Sequence, residues 1–196
     1  MDLVPPRVRA AMASLEARDA ADRTDGTPRS RRLRAISPEV GRFLLAVGLG
    51  AGARTIVEVG TSAGYSTLWL ALVAQRTDGR VTTFEIDPAK VELARHTFSE
   101  AGVEDRVDLR PSDGAAGLRA FSGTADLVFL DAEKEDYVRA LEPAVEALRP
   151  GGLLIADNLT SHAEDLEGFR AAALGDPRLS GLVVPIGRGE LLAVRV

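Results

Sequence analysis

The stretch TIVEVGTSAGYS, residues 55–66, is the clearest indication of the fold. Its first five residues, Thr55–Val59, are typical of a buried strand that Gly60 ends. From Gly64 to Gln75 the apolar residues follow a helical spacing. Two glycines four positions apart predict a turn that lets the backbone approach a ligand at the start of a helix, where unpaired N–H groups favour a carboxylate or phosphate. The spacing matches neither the dinucleotide-binding G-x-G-x-x-G motif nor a P-loop, so a purely structural tight turn is the alternative.

Strand-like and helix-like segments alternate on both sides of this turn. Ser37 followed by Pro38 predicts a helix start with the serine as N-cap. Further along, we predict strands at residues 81–86, 106–110, 125–131 and 153–156, and helices at residues 88–101, 112–120, 134–148 and 162–174. The strict alternation predicts a parallel sheet with helices on both faces, which is a Rossmann-like α/β fold.

The last part of the chain breaks this alternation. Leu182–Pro185 and Leu191–Val196 are apolar runs separated only by the sequence IGRGE, which leaves no room for a crossover helix. Gly187 and Gly189 suit a tight reversal, so the two runs are expected to be antiparallel neighbours. The prediction is therefore a mostly parallel sheet of seven strands in which the last strand is antiparallel.

The length of 196 residues fits one domain and is too short for two ordinary ones. Residues 1–36 are polar and rich in arginine, and we predict an N-terminal helical and linker segment there, with a short helix from Pro6 to about Asp19. Residues 37–196 are predicted to form a single domain. Four arginines of the N-terminal segment form either a basic lip over a site or part of a solvated linker; they are Arg29, Arg31, Arg32 and Arg34.

The composition excludes several classes of function. The absence of cysteine excludes disulfides, zinc–thiolate sites, iron–sulfur clusters and thiol nucleophiles. The formal net charge of −5 argues against a broad nucleic-acid-binding face. We see no signal-peptide pattern and no apolar run long enough for a membrane span, so we expect a soluble, cytoplasmic protein. Among the 24 basic residues only Lys90 and Lys134 are lysines, which makes each a better candidate for a task that arginine cannot perform.

Polar residues follow the second and third predicted strands, and ligands of an open parallel sheet bind beyond such strand ends. Glu85 is placed to accept hydrogen bonds from a ribose diol, whereas Asp87 before Pro88 is typical of a helix N-cap. Ser112 and Asp113 either contact an adenine ring or cap the next helix. An acid at the position of Glu85 is shared by nicotinamide-binding and adenosylmethionine-binding proteins, so it does not discriminate between them.

The fourth and fifth strands, which should be neighbours, are also followed by polar side chains. Asp131, Asp157 and Asn158 supply two carboxylates and an amide carbonyl, the hard oxygen ligands that suit Mg²⁺, Mn²⁺ or Ca²⁺. A cation would remove the repulsion between two close acids, and a pair of helix-capping acids is the alternative. Lys134 begins the next helix against the helix dipole, and a positive neighbour would lower its pKa so that it could act as a base. A surface lysine is the alternative there.

Taken in order, these segments resemble the class I S-adenosylmethionine-dependent methyltransferases, and more closely the small metal-dependent group of catechol and caffeoyl-CoA O-methyltransferases. The resemblance runs from about Ser37 to Val196. The motifs that carry it are VEVGTSAGYSTLWLA (57–71), FEIDP (84–88), VFLDAEKEDY (128–137), LRPGGLLIADN (148–158) and the closing DPR…VVPIGRGELLAVR (176–195).

The resemblance implies S-adenosylmethionine as cofactor, Mg²⁺ or another divalent cation, a small phenolic acceptor with adjacent hydroxyls, and a homodimer. It implies Lys134 as general base and Asp131, Asp157 and Asn158 as metal ligands. The cofactor-binding residues that it implies begin with the methionine-binding loop, followed by the ribose and adenine contacts: Glu58, Gly60, Gly64, Tyr65, Ser66, Glu85, Ser112, Asp113 and Asp131.

The sequence departs from the family pattern where the acceptor would bind. Ala132 and Glu133 stand where the catechol-specific animal enzyme has an aromatic gate, so the identity of the acceptor stays open. Three alternatives to the metal-dependent enzyme also remain. They are a metal-independent small-molecule methyltransferase, a non-catalytic cofactor-binding protein of the same fold, and a nicotinamide-dependent reductase.

Overall fold

The computed structural model describes residues 3–196, with only the backbone described for Ser30, so Met1 and Asp2 of the predicted N-terminal segment lie outside the described residues. In chain order the elements of this range are α1 (Pro6–Asp22), a 3₁₀ turn (Arg29–Arg31), α2 (Pro38–Gly50), β1 (Thr55–Val59), α3 (Tyr65–Thr77), β2 (Arg80–Glu85), α4 (Pro88–Ala101), β3 (Val107–Pro111), α5 (Gly114–Leu118), a 3₁₀ turn (Arg119–Phe121), β4 (Ala125–Leu130), α6 (Lys134–Ala147), β5 (Leu148–Ala156), α7 (Glu167–Gly175), β6 (Leu179–Val184) and β7 (Glu190–Arg195). None of the helices in residues 3–196 has the length and apolar character needed to cross a membrane.

The strands form one seven-stranded sheet in the order β3-β2-β1-β4-β5-β7-β6. β7 runs antiparallel to both of its neighbours, β5 and β6, whereas the pairs from β3 to β5 are parallel. The predicted mostly parallel α/β sheet with an antiparallel last strand is therefore confirmed. The strand order reverses between β1 and β4, and this switch point is where such sheets bind ligands.

Two predicted helix caps are confirmed by their hydrogen bonds. The Ser37 hydroxyl accepts a bond from the Val40 N–H (3.2 Å) at the start of α2. The Asp87 carboxylate accepts one from the Ala89 N–H (2.9 Å) at the start of α4. Both helices have proline as their first residue, where its missing N–H costs nothing, so the sequence places these two starts correctly.

Some element boundaries differ from the prediction. β5 begins at Leu148 rather than at residue 153, because the segment with Pro150 and Gly151 pairs irregularly with β4 and carries no apolar pattern. The helix predicted at 162–174 is shorter, since residues 159–166 form turns before α7 begins at Glu167. The longer turn segment lies beside the carboxyl end of β5, where it contributes to the cavity described below.

The segment before α2 packs against the rest of the chain. Val8, Met12 and Leu15 of α1 are buried in the hydrophobic cluster on one face of the sheet, and α1 contacts α3 and α4. Residues 27–36, which we call the strap, follow α1 and bury Leu33 and Ile36 in the same cluster. This packing holds the strap over the carboxyl edge of the sheet.

The strap is also tied down by hydrogen bonds on both sides. The Asp22 carboxylate accepts a bond from the Leu33 N–H (3.1 Å), and the Asp19 carboxylate accepts one from the Ala35 N–H (3.2 Å). On the other side, the Ser62 hydroxyl donates to the Leu33 carbonyl (2.8 Å). The strap is therefore a fixed wall of the cavity below it.

Candidate functional site

A cavity of about 550 Å³ lies at the carboxyl ends of β1, β2 and β4, under the strap. This size suits a cofactor together with a small molecule. Most of the predicted site residues line it: Gly60, Tyr65, Ser66, Glu85, Ser112, Asp113, Asp131, Lys134 and Asn158. Three other predicted residues do not line the cavity and lie behind the residues that do: Glu58, Gly64 and Asp157.

Gly60 and Gly64 are needed for the shape of the loop between β1 and α3. Gly60 has a φ of +102°, and a Cβ there would lie 2.1 Å from the carbonyl oxygen of Asp131. Gly64 has a φ of +92°, and a Cβ there would lie 2.5 Å from the Phe98 ring. Any larger residue would therefore be strained and would also clash. The loop thus brings backbone from β1 close to β4 and directs the start of α3 into the cavity.

Glu58 supports this loop from behind. Its side chain is fully buried, and its carboxylate accepts hydrogen bonds from the hydroxyls of Ser66 (2.5 Å), Thr67 (2.5 Å) and Thr83 (2.6 Å). Burial raises the pKa of Glu58 to about 7, against the effect of these three donors. Glu58 therefore acts on the site through Ser66, which does line the cavity. Its assignment to direct cofactor contact stays a prediction.

Glu85 occupies the end of β2 on the opposite side of the loop. Its carboxylate accepts backbone hydrogen bonds from Ser62 (2.8 Å), Ile86 (2.9 Å) and Asp87 (2.9 Å). A carboxylate has about four lone-pair positions, so it keeps capacity for a ligand hydroxyl. The side chain is thus held rigidly at the edge of the cavity.

Ser112 and Asp113 follow β3 and line the same cavity. Asp113 caps α5, since its carboxylate accepts a hydrogen bond from the Ala116 N–H (2.7 Å), and it also pairs with Arg139 (2.8 Å). The pairing with Arg139 lowers the pKa of Asp113. The capping interpretation is correct for this residue, and its position in the wall is compatible with a ligand contact as well.

Asp131, Asp157 and Asn158 come together at the ends of β4 and β5, as predicted. The Asn158 amide donates to the Asp131 carboxylate (2.9 Å), and the Asp157 carboxylate accepts a bond from the Asn158 N–H (2.6 Å). Burial and the charge of Asp157 raise the pKa of Asp131 to about 7. In residues 3–196 no three His, Cys, Asp or Glu side chains converge as a metal site. The predicted set is of a different kind, because its third member is an amide.

Glu190, the first residue of β7, is an acid that the sequence analysis missed. Ala156 pairs with Leu191, so the antiparallel register brings Glu190 opposite Asp157. Glu190 is fully buried, and among the described residues no N–H or hydroxyl group donates to its carboxylate oxygens, so its neighbour is the acid Asp157. Burial and the neighbouring Asp157 raise the pKa of Glu190 to about 11. At neutral pH Glu190 therefore carries its proton beside Asp157, and a cation bound at these strand ends would favour the loss of that proton.

Replacement of Glu190 by glutamine is expected to stabilise the protein in the presence of a chelator. The folded carboxyl keeps its proton up to a pKa of about 11, whereas the unfolded one loses it near the ordinary value of 4.5. The unfolded state thus binds fewer protons between these values, and the stability of the wild type falls as the pH rises. The variant should gain up to about 3 kcal/mol in the free energy of unfolding at pH 7, and less at pH 5.

Urea unfolding at pH 5, 6, 7 and 8 measures this gain. Glu104→Gln serves as the control because Glu104 is exposed, and its free energy of unfolding should stay within about 0.5 kcal/mol of the wild type. A gain for Glu190→Gln that does not increase with pH would contradict the description of Glu190 as a buried acid that keeps its proton at neutral pH.

Lys134 is the first residue of α6 and lines the cavity beside Asp131. It is half-buried, and its Nζ lies 4.9 Å from the centroid of the Tyr137 ring. Burial lowers the pKa of Lys134, against the charges of Asp131 and Asp157. Lys134 is therefore a partly desolvated amine in the field of Asp131 and Asp157, and partial desolvation is what a lysine general base requires.

Tyr137 is a further residue that the sequence did not single out. Its hydroxyl donates to the carbonyl oxygens of Asp157 (3.1 Å) and Leu130 (3.3 Å), at the ends of β5 and β4. Its ring packs edge-on against Phe169 of α7, with 5.2 Å between the centroids. Tyr137 thus fixes the two strand ends that carry the acids. The sequence places this tyrosine three residues after Lys134, and this spacing on one helix face could have indicated that the two side chains are neighbours.

Three of the four N-terminal arginines line the cavity, namely Arg29, Arg32 and Arg34, whereas Arg31 does not. The Arg34 guanidinium pairs with Glu133 through both of its terminal nitrogens. This pair raises the pKa of Arg34 and lowers that of Glu133. The basic lip, rather than the solvated linker, describes these three arginines.

Comparison with known proteins shows which family this chain resembles. The model of a family described as O-methyltransferase matches residues 22–196. A Mycolicibacterium vanbaalenii protein, provisionally named an O-methyltransferase, is 36% identical over 185 residues, covering 82% of this chain and 77% of that protein. The catechol O-methyltransferase of Mycobacterium tuberculosis is 38% identical over 148 residues, covering 75% of this chain and 63% of that protein. The O-methyltransferase of Bacillus cereus, solved in complex with SAH, has a TM-score of 0.78 at 27% identity, covering 95% of this chain and 91% of that chain.

Proposed function

Because the chain belongs to the O-methyltransferase family, we propose that it transfers a methyl group from S-adenosylmethionine to one hydroxyl of a catechol-like acceptor, assisted by a divalent cation. The observation that carries this proposal is the shared cavity. Lys134, Asp131 and Asn158 line the same space as the glycine-rich loop after β1. A candidate base, candidate cation ligands and a candidate cofactor loop therefore have access to one another.

The cofactor would lie across the switch point of the sheet. S-adenosylmethionine supplies, when bound, a methyl group on a positively charged sulfur. The start of α3 offers unpaired N–H groups for the carboxylate of its methionine part, and Ser66 lies beside them. Glu85 keeps acceptor capacity for the ribose hydroxyls. Ser112 and Asp113 line the cavity where they would contact the adenine ring. The Bacillus cereus O-methyltransferase solved in complex with SAH supports the choice of cofactor.

The residues at the ends of β4 and β5 fit a divalent cation. Asp131, Asp157 and Asn158 would hold it, and a flip of the Asn158 amide would present its oxygen instead of its nitrogen. The raised pKa of Asp131 supports this assignment, because burial and the charge of Asp157 disfavour its charged form and a cation would restore it. A bound divalent cation lowers the pKa of a hydroxyl that it contacts. Adjacent hydroxyls on an aromatic ring form a bidentate oxygen ligand, which favours a catechol-like acceptor.

The chain's own contribution is to hold the reactants and remove a proton. Lys134, which burial keeps easier to deprotonate than an ordinary lysine, would accept the proton of the acceptor hydroxyl at its Nζ. The strap and the loop after β1 cover the cavity, so that the reacting groups are kept together and away from bulk water. Tyr137 keeps the two strand ends in register.

The acceptor class is tested by comparing catechol with phenol and with 2-methoxyphenol, each with S-adenosylmethionine and Mg²⁺. Methyl transfer is measured by mass spectrometry of the ether product. Catechol should react at least about 100-fold faster than either single-hydroxyl compound, because only the diol offers two adjacent ligand oxygens. Equal rates for phenol and catechol, or no transfer to any aromatic diol, would contradict the proposed acceptor.

A further inference from the structure

Arg188 occupies the turn between β6 and β7, beside the predicted cation ligands. Its carbonyl oxygen accepts hydrogen bonds from the backbone N–H groups of Thr160 (2.9 Å) and Ser161 (3.2 Å), and from the Thr160 hydroxyl (2.6 Å). These bonds fasten the turn to the segment that directly follows Asn158. The Arg188 side chain is half-buried and lines the cavity on this wall.

Arg188 differs from the other arginines of the cavity wall in its partners. Arg23, Arg34 and Arg139 each pair with carboxylates of the chain. Arg32 donates to the Thr27 carbonyl (2.8 Å), and Arg29 is exposed on the strap. In the part of the chain that the structure describes, the half-buried Arg188 guanidinium has neither a hydrogen-bond partner nor an ion-pair partner, whereas the half-buried Arg32 has the Thr27 carbonyl. The chain has 29 acidic against 24 basic residues, so a shortage of acids does not explain this.

The strap brings a second guanidinium to the same region. A Cβ on Gly187 would lie 2.4 Å from Val40 and 3.5 Å from the Ser37 hydroxyl, so the β6–β7 turn lies against the start of α2, where the strap ends. Arg34, three residues before Ser37, uses its terminal nitrogens for Glu133, but its Nε is buried without a partner among the described residues. Both arginines therefore border the end of the cavity that holds Lys134 and Asn158.

We propose that Arg188 binds a carboxylate group of the acceptor, so that the preferred acceptor is an aromatic acid that carries adjacent hydroxyls. The proposal rests on the proposed function for the identity of the reacting hydroxyls. A planar guanidinium can donate two parallel hydrogen bonds to a carboxylate, and such charged bonds are stronger in a cavity than in water. The cofactor's own carboxylate is assigned to the start of α3, on another wall, and leaves Arg188 available.

The test compares 3,4-dihydroxybenzoate with 3,4-dihydroxybenzamide, which has the same shape and the same two hydroxyls but no charge. Calorimetry with S-adenosylhomocysteine and Mg²⁺ present gives the dissociation constant of each compound. The wild type should bind the benzoate about tenfold more tightly or better. In Arg188→Gln this ratio should fall close to one, and Arg188→Lys should keep an intermediate ratio because it keeps the charge. Arg31→Gln, on the exposed side of the strap, should leave both constants unchanged.

These measurements separate this inference from the proposed function. Equal affinity of the wild type for the two compounds, or an unchanged ratio in Arg188→Gln, overturns the carboxylate site even if catechols are methylated. Selective binding of the benzoate that depends on Arg188 supports the site even if neither compound is methylated, and only the proposed acceptor class would then be wrong.

Discussion

Replacement of Lys134 by methionine lowers kcat for methyl transfer by at least about 100-fold, because the acceptor hydroxyl then loses its general base. Methionine keeps most of the volume of the side chain and its packing on Tyr137, so the cavity should keep its shape. Lys134→Arg should be as inactive, since arginine keeps the positive charge but does not give up its proton at accessible pH. The measurement is single-turnover methyl transfer to catechol at saturating S-adenosylmethionine.

The pH profile separates a base from a merely structural lysine. Burial lowers the pKa of Lys134, so kcat of the wild type should rise with pH and level off below the ordinary lysine value of 10.5. Lys134→Met should lose this rise. Lys90→Met removes the other lysine of the chain, on α4, and should keep the wild-type shape of the profile. A Lys134→Met enzyme with the wild-type pH dependence, or with kcat within about twofold of the wild type, would show that another group takes the proton.

The fold was predictable where local patterns agree with the long-range arrangement. The alternation of strands and helices and the tight reversal at Gly187 and Gly189 specify seven strands and an antiparallel end, and the structure has both. The early start of β5 was not predictable, because its first residues are held by irregular pairing with β4 rather than by an apolar pattern. The prediction placed the start of α7 too early for a related reason. Residues 159–166 have a composition that suits a helix, but they form turns beside the cavity.

The site was predictable to the extent that strand ends determine it. Asp131, Lys134 and Asn158 meet because β4 and β5 are neighbours, which the alternation already implies. Glu58 matches the family motif, but its carboxylate points away from the cavity, toward hydroxyl groups beneath the loop such as that of Ser66. The sequence alone does not give the direction of this side chain. Glu190 and Arg188 depend on the register of β7 with β5 and on burial. Neither can be deduced from a short segment such as IGRGE.

Removal of divalent cations is the other change with a large expected effect. Asp131, Asp157 and Glu190 place three acids at one edge of the sheet, and burial raises the pKa of Asp131 and of Glu190. A bound cation would favour the charged forms of Asp131 and Asp157, and an acceptor diol gains acidity from one. The hydrogen bond from the Asn158 amide to Asp131 favours the metal-independent alternative, in which these side chains only position the acceptor. The two accounts predict opposite responses to a chelator.

The most direct measurement is the rate of methyl transfer from S-adenosylmethionine to catechol by enzyme treated with EDTA, dialysed, and then titrated with Mg²⁺. Transfer should fall by at least about 100-fold after treatment and return on titration, and Asp157→Asn should require more Mg²⁺ for half of its maximal rate. A circular dichroism spectrum that stays unchanged on treatment shows that the loss is not caused by unfolding. Full activity in the presence of excess EDTA would contradict the cation-assisted mechanism and leave a metal-independent methyltransferase.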